Sequence, residues 1–305
     1  MPMETIIKEG YRDRGQGLNS ASSLVTCHSS LTDEQTLADS GFFWRKRDGI
    51  RVLVCQKLED IGFINGFSTR LGGVSPFPKN DLNLAGFDED SAENIYENRR
   101  RFLSVFDGDF KLATVWQMHG DGIKTIFKID DIGDSEDRSD ALTSDLGGIL
   151  VGVKTADCVP VLIGDPQTGA YAAIHAGWRG TVQSIVAKAI VRMREDFGID
   201  PARLICAIGP AASVRNYEIG QDVIDAFAAN FSDTEKYFKF TRSGHALVDL
   251  HEANRDQLLW CGVDPINIFT TPFCTMERPD LFFSYRLEKR TNGKTGRLLS
   301  VIGRR

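Results

Sequence analysis

The stretch spanning residues 148–175 constrains the fold of this chain more than any other feature. Residues 148–164 form an apolar run rich in β-branched side chains, and residues 170–175 form a second, shorter run. The five residues between them, 165–169, include the aspartate, proline and glycine that favour tight turns. Together the three segments predict a β-hairpin.

The predicted hairpin brings a cysteine and a histidine together. With Gln167 at the apex of the turn, Cys158 lies opposite Ala176 and diagonal to His175. Side chains opposite each other on paired strands hold their Cβ atoms roughly 5 Å apart, and diagonal neighbours lie somewhat further apart. A thiolate and an imidazole at that separation can share a metal ion or act as nucleophile and base. The alternative is a core cysteine near an unrelated histidine.

A third candidate ligand, His119, lies where a strand-like run ends in a glycine-rich turn. One cysteine and two histidines suit zinc, and catalytic zinc sites keep three protein ligands with a fourth position open. We therefore expect His119, Cys158 and His175 to form an open catalytic metal site. A closed structural site with Cys206 or Cys274 as fourth ligand is the alternative.

The segment after His175 predicts an anion pocket beside this site. Gly177 and Arg179 open a predicted helix with Thr181 as its N-cap. Free backbone N–H groups at a helix start attract anions, and glycine lets a ligand approach the backbone closely. Arg179 adds a charged fork that holds phosphate or carboxylate through two hydrogen bonds. A glycine-rich turn with a surface arginine is the alternative.

Several other polar residues are weaker candidates. Arg70 and Asn83 are possible substrate contacts, although turn and capping roles are equally open. Asp157 alternates to the face opposite Cys158 in a regular strand and is therefore a weak candidate for a general base. The remaining histidines have no visible companion and are interpreted as surface or helix-face residues; they are His28, His245 and His251.

The wider pattern predicts one domain with an extension. Residues 1–40 are polar and aperiodic, which indicates an N-terminal extension that is partly disordered. Residues 41–305 alternate strand-like runs with amphipathic helices, and no linker divides them. We expect a single α/β domain with mixed, largely antiparallel sheets.

Composition excludes several classes of function. A net charge of −6 argues against non-specific nucleic-acid binding, and no run approaches the roughly 18 apolar residues that a membrane span needs. The N-terminus has no apolar segment typical of an export signal, so the six cysteines are expected to be reduced thiols in the cytoplasm. We expect a monomer or a homodimer that acts on a small molecule.

Eight short motifs together resemble one family, the multicopper polyphenol oxidase (laccase-domain) proteins. This family is also described as purine nucleoside phosphorylases and as peptidoglycan editing factors. In chain order the motifs are FSTRLGGVS (67–75), QMHG (117–120), TADCVP (155–160), HAGWRG (175–180), IGP (208–210), CT (274–275), FFSYR (282–286) and TGR (295–297). They span most of the chain.

The resemblance implies a four-layer αββα fold and makes His119, Cys158 and His175 zinc ligands. It also places Arg286 among the candidate substrate or phosphate contacts. Leu287 stands where the family often has a second arginine, which puts the substrate role of that position in doubt. Residues 1–40 have no clear counterpart in the family.

Three activities come with the resemblance. The first is phosphorolysis of adenosine, inosine or 5′-methylthioadenosine together with adenosine deamination. An open zinc site can generate the hydroxide for deamination, and an anion pocket can hold the phosphate for phosphorolysis. The second is an amide hydrolase acting on a cell-wall precursor. The third, a copper-dependent laccase, needs many more histidines than the five present. Nucleoside processing with zinc is the prediction; copper is the less favoured metal.

Overall fold

A computed structural model of the protein describes residues 27–76, 79–86, 89–133 and 137–305, with side chains from residue 33 onward. Within these ranges the strands are β1 Phe42–Arg47, β2 Ile50–Cys55, β3 Ile64–Ser68, β4 Lys111–Ala113, β5 Ile123–Ile126, β6 Ala141–Ser144, β7 Ile149–Thr155, β8 Val159–Gly164, β9 Tyr171–Ala176, β10 Ile205–Ile208, β11 Glu218–Gly220, β12 Phe238–Arg242, β13 His245–Val248, β14 Ile268–Thr270 and β15 Leu298–Arg304. The α-helices are α1 Cys27–Asp39, α2 Gln56–Asp60, α3 Ala92–Leu103, α4 Trp178–Val182, α5 Ile185–Phe197, α6 Gln221–Asn230, α7 Leu250–Trp260 and α8 Tyr285–Asn292.

Two six-stranded sheets form the centre of the molecule. The first has the order β1-β2-β3-β15-β7-β4 and the second the order β14-β10-β8-β9-β6-β5, while β11, β13 and β12 make a small third sheet. Neighbouring strands are antiparallel except for β4 with β7, β5 with β6 and β10 with β14. The prediction of mixed, largely antiparallel sheets is confirmed.

Alternating side chains bury both faces of each large sheet. One cluster between the two sheets contains Val151 and Val153 of β7 together with Leu162 of β8 and Ala173 of β9. The other face of the second sheet packs against α5, α6 and α7, and the other face of the first sheet packs against α3. The layers are therefore helix, sheet, sheet and helix, as the resemblance implies.

The predicted hairpin is present as β8 and β9, but its register is shifted by one residue. Val159 pairs with Ala176 and Pro160 with His175, so Cys158 lies just before the strand instead of opposite Ala176. The turn is one residue shorter than we predict, because the amide of Asp165 donates to the carbonyl of Ala170 at 2.8 Å.

The predicted long helix after His175 is divided in two. Helix α4 begins directly after Gly177, and Ser184 then adopts a left-handed backbone before α5 starts. Thr181 lies inside α4 and is therefore not the N-cap that we predict. The amide of buried Gln257 bridges the break, donating to the carbonyl of Thr181 and accepting from the amide of Val186. Gly198 ends α5, as predicted.

Regular structure begins before Gly41. Helix α1 lies in the segment predicted to be an aperiodic extension, its Leu37 is 1% exposed in the core, and its Asp33 pairs with Arg278 at 2.9 Å. The predicted extension therefore includes the regular helix Cys27–Asp39, and residues 1–26 lie outside the described residues. The domain boundary at residue 41 stays a prediction.

Other helices follow the sequence pattern more closely. Helices α6 and α7 lie where amphipathic patterns predict them, and Asp249 caps α7 by accepting from the amide of Glu252. Among the described residues, no helix has both the length and the apolar character needed to span a membrane.

Candidate metal centre

The structure brings His119, Cys158 and His175 together. One potential ligand atom from each of these residues lies within 4.8 Å of the other two. The two imidazole rings meet edge to face, with ring centroids 4.8 Å apart. The grouping agrees with the predicted ligand set, although the residues come from three different chain segments.

Cys158 and His175 are held by the backbone of the β8–β9 hairpin. Cys158 lies where the chain crosses from β7 in the first sheet to β8 in the second. The preceding residue, Asp157, makes this crossing with a left-handed backbone (φ +84°), which few non-glycine residues adopt. His175 lies inside β9, directly opposite Pro160. The strand ladder therefore places His175 directly, and Cys158 is the residue immediately before β8.

His119 lies on an irregular crossing from β4 to β5. The predicted strand over residues 112–118 ends at Ala113, and His119 itself has a left-handed backbone (φ +59°). The side-chain amide of Gln117 replaces the missing ladder: its Oε1 accepts from the amide of Lys154 and its Nε2 donates to the carbonyl of Lys154, both at 2.7 Å. The Lys154 ammonium donates to the carbonyl of Val115 at 2.5 Å.

Asp140 connects the His119 segment to His175. Its carboxylate accepts from the amides of Met118, His119 and Gly120 at 2.8–3.1 Å and lies 2.8 Å from Nδ1 of His175. Although burial raises the pKa of the Asp140 carboxyl, His175 and the backbone donors hold it below its usual range. A carboxylate at Nδ1 leaves Nε2 of His175 as the ligand atom.

The thiol and the imidazole shift each other's protonation. Burial raises the pKa of the Cys158 thiol, but the adjacent His175 and His119 outweigh burial and lower it to about 6. Burial lowers the pKa of His175, but Cys158 and Asp140 outweigh burial and raise it to about 9. In the metal-free protein, thiolate and imidazolium therefore coexist at neutral pH.

Two glycines let the chain pass close to the ligands. A Cβ atom at Gly177 would lie 3.1 Å from Sγ of Cys158 and 3.3 Å from Cδ2 of His119. A Cβ atom at Gly180 would lie 2.8 Å from the carbonyl oxygen of Gly120, in the His119 segment. Gly177 therefore serves the packing of the candidate ligands themselves, in addition to any contact with an anion.

The donor set fits a single zinc ion with an open position. Imidazole nitrogen and thiolate sulfur are the ligands that zinc takes, and three of them are present. Within the described ranges no fourth His, Cys, Asp or Glu joins the group. Cys206 is buried in the core, and Cys274 accepts from the amide of Ser213 instead, so neither completes a closed structural site.

Two predicted anion contacts are linked to the centre through the chain: Arg179 lies four residues after His175, and the amide of Arg286 donates to Asp157, the residue before Cys158. Arg179 is exposed on α4 and stacks on Trp178 at 4.4 Å. Arg286 is half-buried at the start of α8, stacks on Tyr217 at 4.8 Å and donates from Nη1 to the carbonyl of Glu218. Because α4 has five residues, the dipole of the longer helix does not begin at Gly177 as we predict.

The other two predicted contacts are held by other parts of the protein, and a contact of either with substrate stays a prediction. Arg70 is 7% exposed and is held by ion pairs with Asp81 at 2.8 Å and Glu288 at 2.7 Å. Asn83 is fully buried and donates to Asp90. The acidic partners of Arg70 come from distant chain positions, so the local sequence does not reveal that the guanidinium is already engaged.

Sequence reasoning missed Asp140, Gln117 and the role of Asp157. Each of the three acts through hydrogen bonds to segments distant in sequence, and none lies in a spacing that signals metal chemistry. The QMHG motif includes Gln117, which is the one signal that could have identified it.

Comparison with known proteins places the chain among a defined group. The family described as multi-copper polyphenol oxidoreductase laccase matches residues 64–305. A protein of Bacteroides thetaiotaomicron named purine nucleoside phosphorylase is 34% identical over 261 residues, which cover 83% of this chain and 96% of that protein. A protein of Shigella flexneri named purine nucleoside phosphorylase YfiH is 34% identical and covers 77% of this chain and 91% of its own length.

Solved structures show the same architecture. YlmD from Geobacillus stearothermophilus superimposes with a TM-score of 0.77 at 31% identity, over 85% of this chain and 97% of that chain. The Bacillus licheniformis hypothetical protein YfiH gives a TM-score of 0.77 at 29% identity, over 86% and 99% of the two chains. Both similarities extend over nearly the whole of the solved proteins.

Proposed function

The chain belongs to the multi-copper polyphenol oxidoreductase laccase family, and from that premise we propose that it is a zinc-dependent purine nucleoside phosphorylase. Its substrates are adenosine, inosine and 5′-methylthioadenosine. It also deaminates adenosine to inosine. The curated relatives named purine nucleoside phosphorylase support the first activity.

The observation that carries this proposal is the three-ligand group with two arginines beside it. His119, Cys158 and His175 are three ligands, one fewer than a closed zinc site has, so a fourth position is open to substrate, and Arg179 and Arg286 supply the positive charge. Guanidinium groups bind phosphate through paired hydrogen bonds. A site that combines a metal with an oxyanion pocket suits the joining of phosphate to a nucleoside.

Apolar surface beside His119 suits the base. Trp116 is 62% exposed and Met118 is 50% exposed, on the two sides of Gln117. Large apolar side chains in water are notable where they border a polar site, because they offer stacking area for a flat aromatic ligand. We assign them to the purine side of the substrate.

Phosphorolysis breaks the bond between C1′ of the sugar and the purine nitrogen, and a phosphate oxygen forms the new bond to C1′. Hydrogen phosphate gives its proton to the departing purine nitrogen, and the other product is the sugar 1-phosphate. Arg179 and Arg286 hold the phosphate dianion, and positioning of the two reactants provides much of the rate. Zinc, when bound, supplies Lewis-acid chemistry. Asp140 keeps the Nδ1 proton on His175 throughout.

The histidine inventory favours zinc over a set of copper ions. His245 contacts the carbonyl of Ser243 and His251 contacts the carbonyl of Gly209, so neither joins the candidate centre. The described residues thus hold a group for one ion, whereas a laccase needs a mononuclear and a trinuclear copper site. The five described free cysteines agree with a reducing compartment such as the cytoplasm. We propose a monomer or homodimer.

Product analysis tests the proposal. Purified protein should contain about one zinc ion per chain, release free purine from inosine only with phosphate, and convert adenosine to inosine without it. His119→Ala should abolish both reactions. Inert nucleosides, together with release of an amino acid from a sugar–peptide nucleotide, would replace this function with the amide hydrolase. Copper loading with oxidase turnover would replace it with the laccase.

The arginines give a second test. Arg179→Ala should raise the KM for phosphate about ten- to hundredfold while zinc content is unchanged, because a charged hydrogen bond is worth about 1.5–3 kcal/mol. Arg194→Ala, an exposed arginine on α5, is the matched control and should leave the KM unchanged. An unchanged phosphate dependence in Arg179→Ala would leave Arg286 as the phosphate contact.

A further inference from the structure

Asp157 is a buried carboxylate next to the candidate centre that the candidate ligand set does not use. It is 7% exposed. Its Oδ1 accepts from the Thr275 hydroxyl at 2.7 Å, and its Oδ2 accepts from the Ser284 hydroxyl at 3.0 Å and from the amide of Arg286 at 2.7 Å. Three donors from the C-terminal part of the chain therefore meet one side chain.

These contacts fasten separate segments to the strand crossing that carries Cys158. The carbonyl of Asp157 accepts from the amide of Ala212, in the loop that leads to Tyr217. Its carboxylate holds Thr275 and the first turn of α8. One residue thus connects the Cys158 side of the site with both segments that supply the Tyr217–Arg286 stack.

The contact between Asp157 and α8 fixes the backbone position of Arg286. The Ser284 hydroxyl, which donates to Asp157, also accepts from the amide of Leu287 as the N-cap of this helix. The amide of Arg286 is held directly by Asp157. With its backbone fixed, the guanidinium reaches the carbonyl of Glu218 at 2.7 Å and the ring of Tyr217.

We propose that Asp157 is a positioning residue that sets the place of Arg286 as a phosphate contact. It is not the general base, because both carboxylate oxygens already accept hydrogen bonds from protein donors. It acts through Arg286 and not through the metal ligand that follows it. This inference rests on the proposed function for the identity of the anion.

A double-mutant cycle between Asp157 and Arg286 tests the inference. Asp157→Asn keeps one acceptor oxygen but cannot accept all three donors, so the start of α8 loses its anchor. We expect the KM for phosphate to rise about tenfold or more, with kcat for inosine phosphorolysis and zinc content little changed. The double variant Asp157→Asn/Arg286→Ala should match Arg286→Ala within about twofold, because the two residues act as one unit.

Two further variants separate positioning from general destabilisation. Asp165→Asn removes a fully buried carboxylate that accepts from Gln167 and Thr168 at the far end of the same hairpin; it should lower Tm and leave the phosphate KM unchanged. Ser284→Ala removes one donor to Asp157 and should raise the phosphate KM in the same direction by a smaller factor. It takes the place of Asp157→Asn in the cycle if that variant does not fold.

The same cycle is measured on the Kd of inorganic phosphate by calorimetry of the zinc-loaded protein. If the effects of Asp157→Asn and Arg286→Ala on phosphate binding multiply in an active protein, the two residues act independently. That result would overturn the inference and leave the proposed function standing, and loss of zinc in Asp157→Asn would do the same. A wild-type protein that binds phosphate without phosphorolysis would overturn the proposed function, and the Kd cycle would still decide the inference. A zinc-loaded protein that neither binds phosphate nor turns over would overturn both.

Discussion

The two sides of the candidate metal centre are built in different ways. His175 lies in the β8–β9 ladder and Cys158 immediately precedes it, and this ladder lies between buried strands on both sides. His119 depends on side chains instead: Gln117, Asp140 and Lys154 hold its segment where β4 has ended. We call these the hairpin side and the loop side.

This difference separates what apolar patterning can specify from what it cannot. A ladder of backbone hydrogen bonds follows from burial of alternating side chains, so the hairpin side tolerates the loss of any single polar contact. The loop side has no such ladder, and each polar side chain that holds it contributes separately. Substitutions on the loop side should therefore tune metal binding, whereas those at the hairpin ligands should abolish it.

Removing the hairpin thiol should have the largest effect. Cys158→Ala deletes the one thiolate ligand, so we expect loss of stoichiometric zinc and of all phosphorolysis, measured by elemental analysis and product formation. Cys261→Ala, a half-buried free thiol at the end of α7, is the matched control and should keep both. Full zinc occupancy in Cys158→Ala would show that the hairpin side does not bind the ion.

Asp140 contacts both sides of the centre, and its substitution should have the second largest effect. Asp140→Asn loses an acceptor for three amides of the His119 segment and weakens the hold on Nδ1 of His175. Such outer partners of metal ligands typically contribute a factor of about 10–100 in affinity, which competition with a chelator would measure. Asp131→Asn, which also removes an acceptor of backbone amides, is the control. Unchanged zinc affinity would contradict the connection between the two sides.

Gln117 acts on the loop side alone and should have a smaller effect. Gln117→Ala removes two hydrogen bonds to Lys154, each worth about 1 kcal/mol net, so we expect zinc affinity to fall by about thirtyfold at most. The β8–β9 ladder is untouched, so Tm of the metal-free protein should change little. Gln56→Ala, whose exposed amide contacts Asp60, is the control. A loss as complete as that in Cys158→Ala would remove the distinction between the two sides.

The pH dependence of thiol alkylation gives the finest comparison. Thiolate is the form that reacts with iodoacetamide. In metal-free protein the rate at which Cys158 is labelled should therefore rise with pH, with a midpoint near pH 6. His175→Ala should move the midpoint upward more than His119→Ala, because His175 exerts the larger lowering effect. Zinc should protect the thiol. Buried Cys55, whose pKa burial raises to about 11, is the internal reference.

The sequence predicts the hairpin side well. Apolar alternation specifies β8 and β9. The observed register of this pair differs from the predicted one by a single residue, because hydrogen bonds of Asp165 in the turn determine it. The layered architecture and the grouping of His119 with the hairpin follow from the motifs, which extend over most of the domain. These features depend on local pattern or on a resemblance of several motifs at once.

What the sequence did not predict depends on contacts between distant polar residues. The break between α4 and α5 is stabilised by Gln257, some seventy residues away along the chain. The ion pair between Arg70 and Glu288 likewise joins two residues that are distant in the sequence. Helix α1 was not predicted because residues 1–40 are polar and aperiodic in sequence. Among the side chains of this helix that the structure describes, from residue 33 onward, Leu37 is the buried apolar one. Periodicity contains no information about such pairs.

Strand β15 gives the fold an order of assembly. It is the last described strand, yet it lies inside the first sheet, between β3 and β7. During synthesis the ribosome releases residues 64–155 long before residues 298–304, so the first sheet stays split until β15 has been made. Cys158 lies shortly after β7, one of the two strands that pair with β15. Under the proposed function, stable capture of the metal therefore follows the synthesis of β15, and the thiol of Cys158 stays reduced until then.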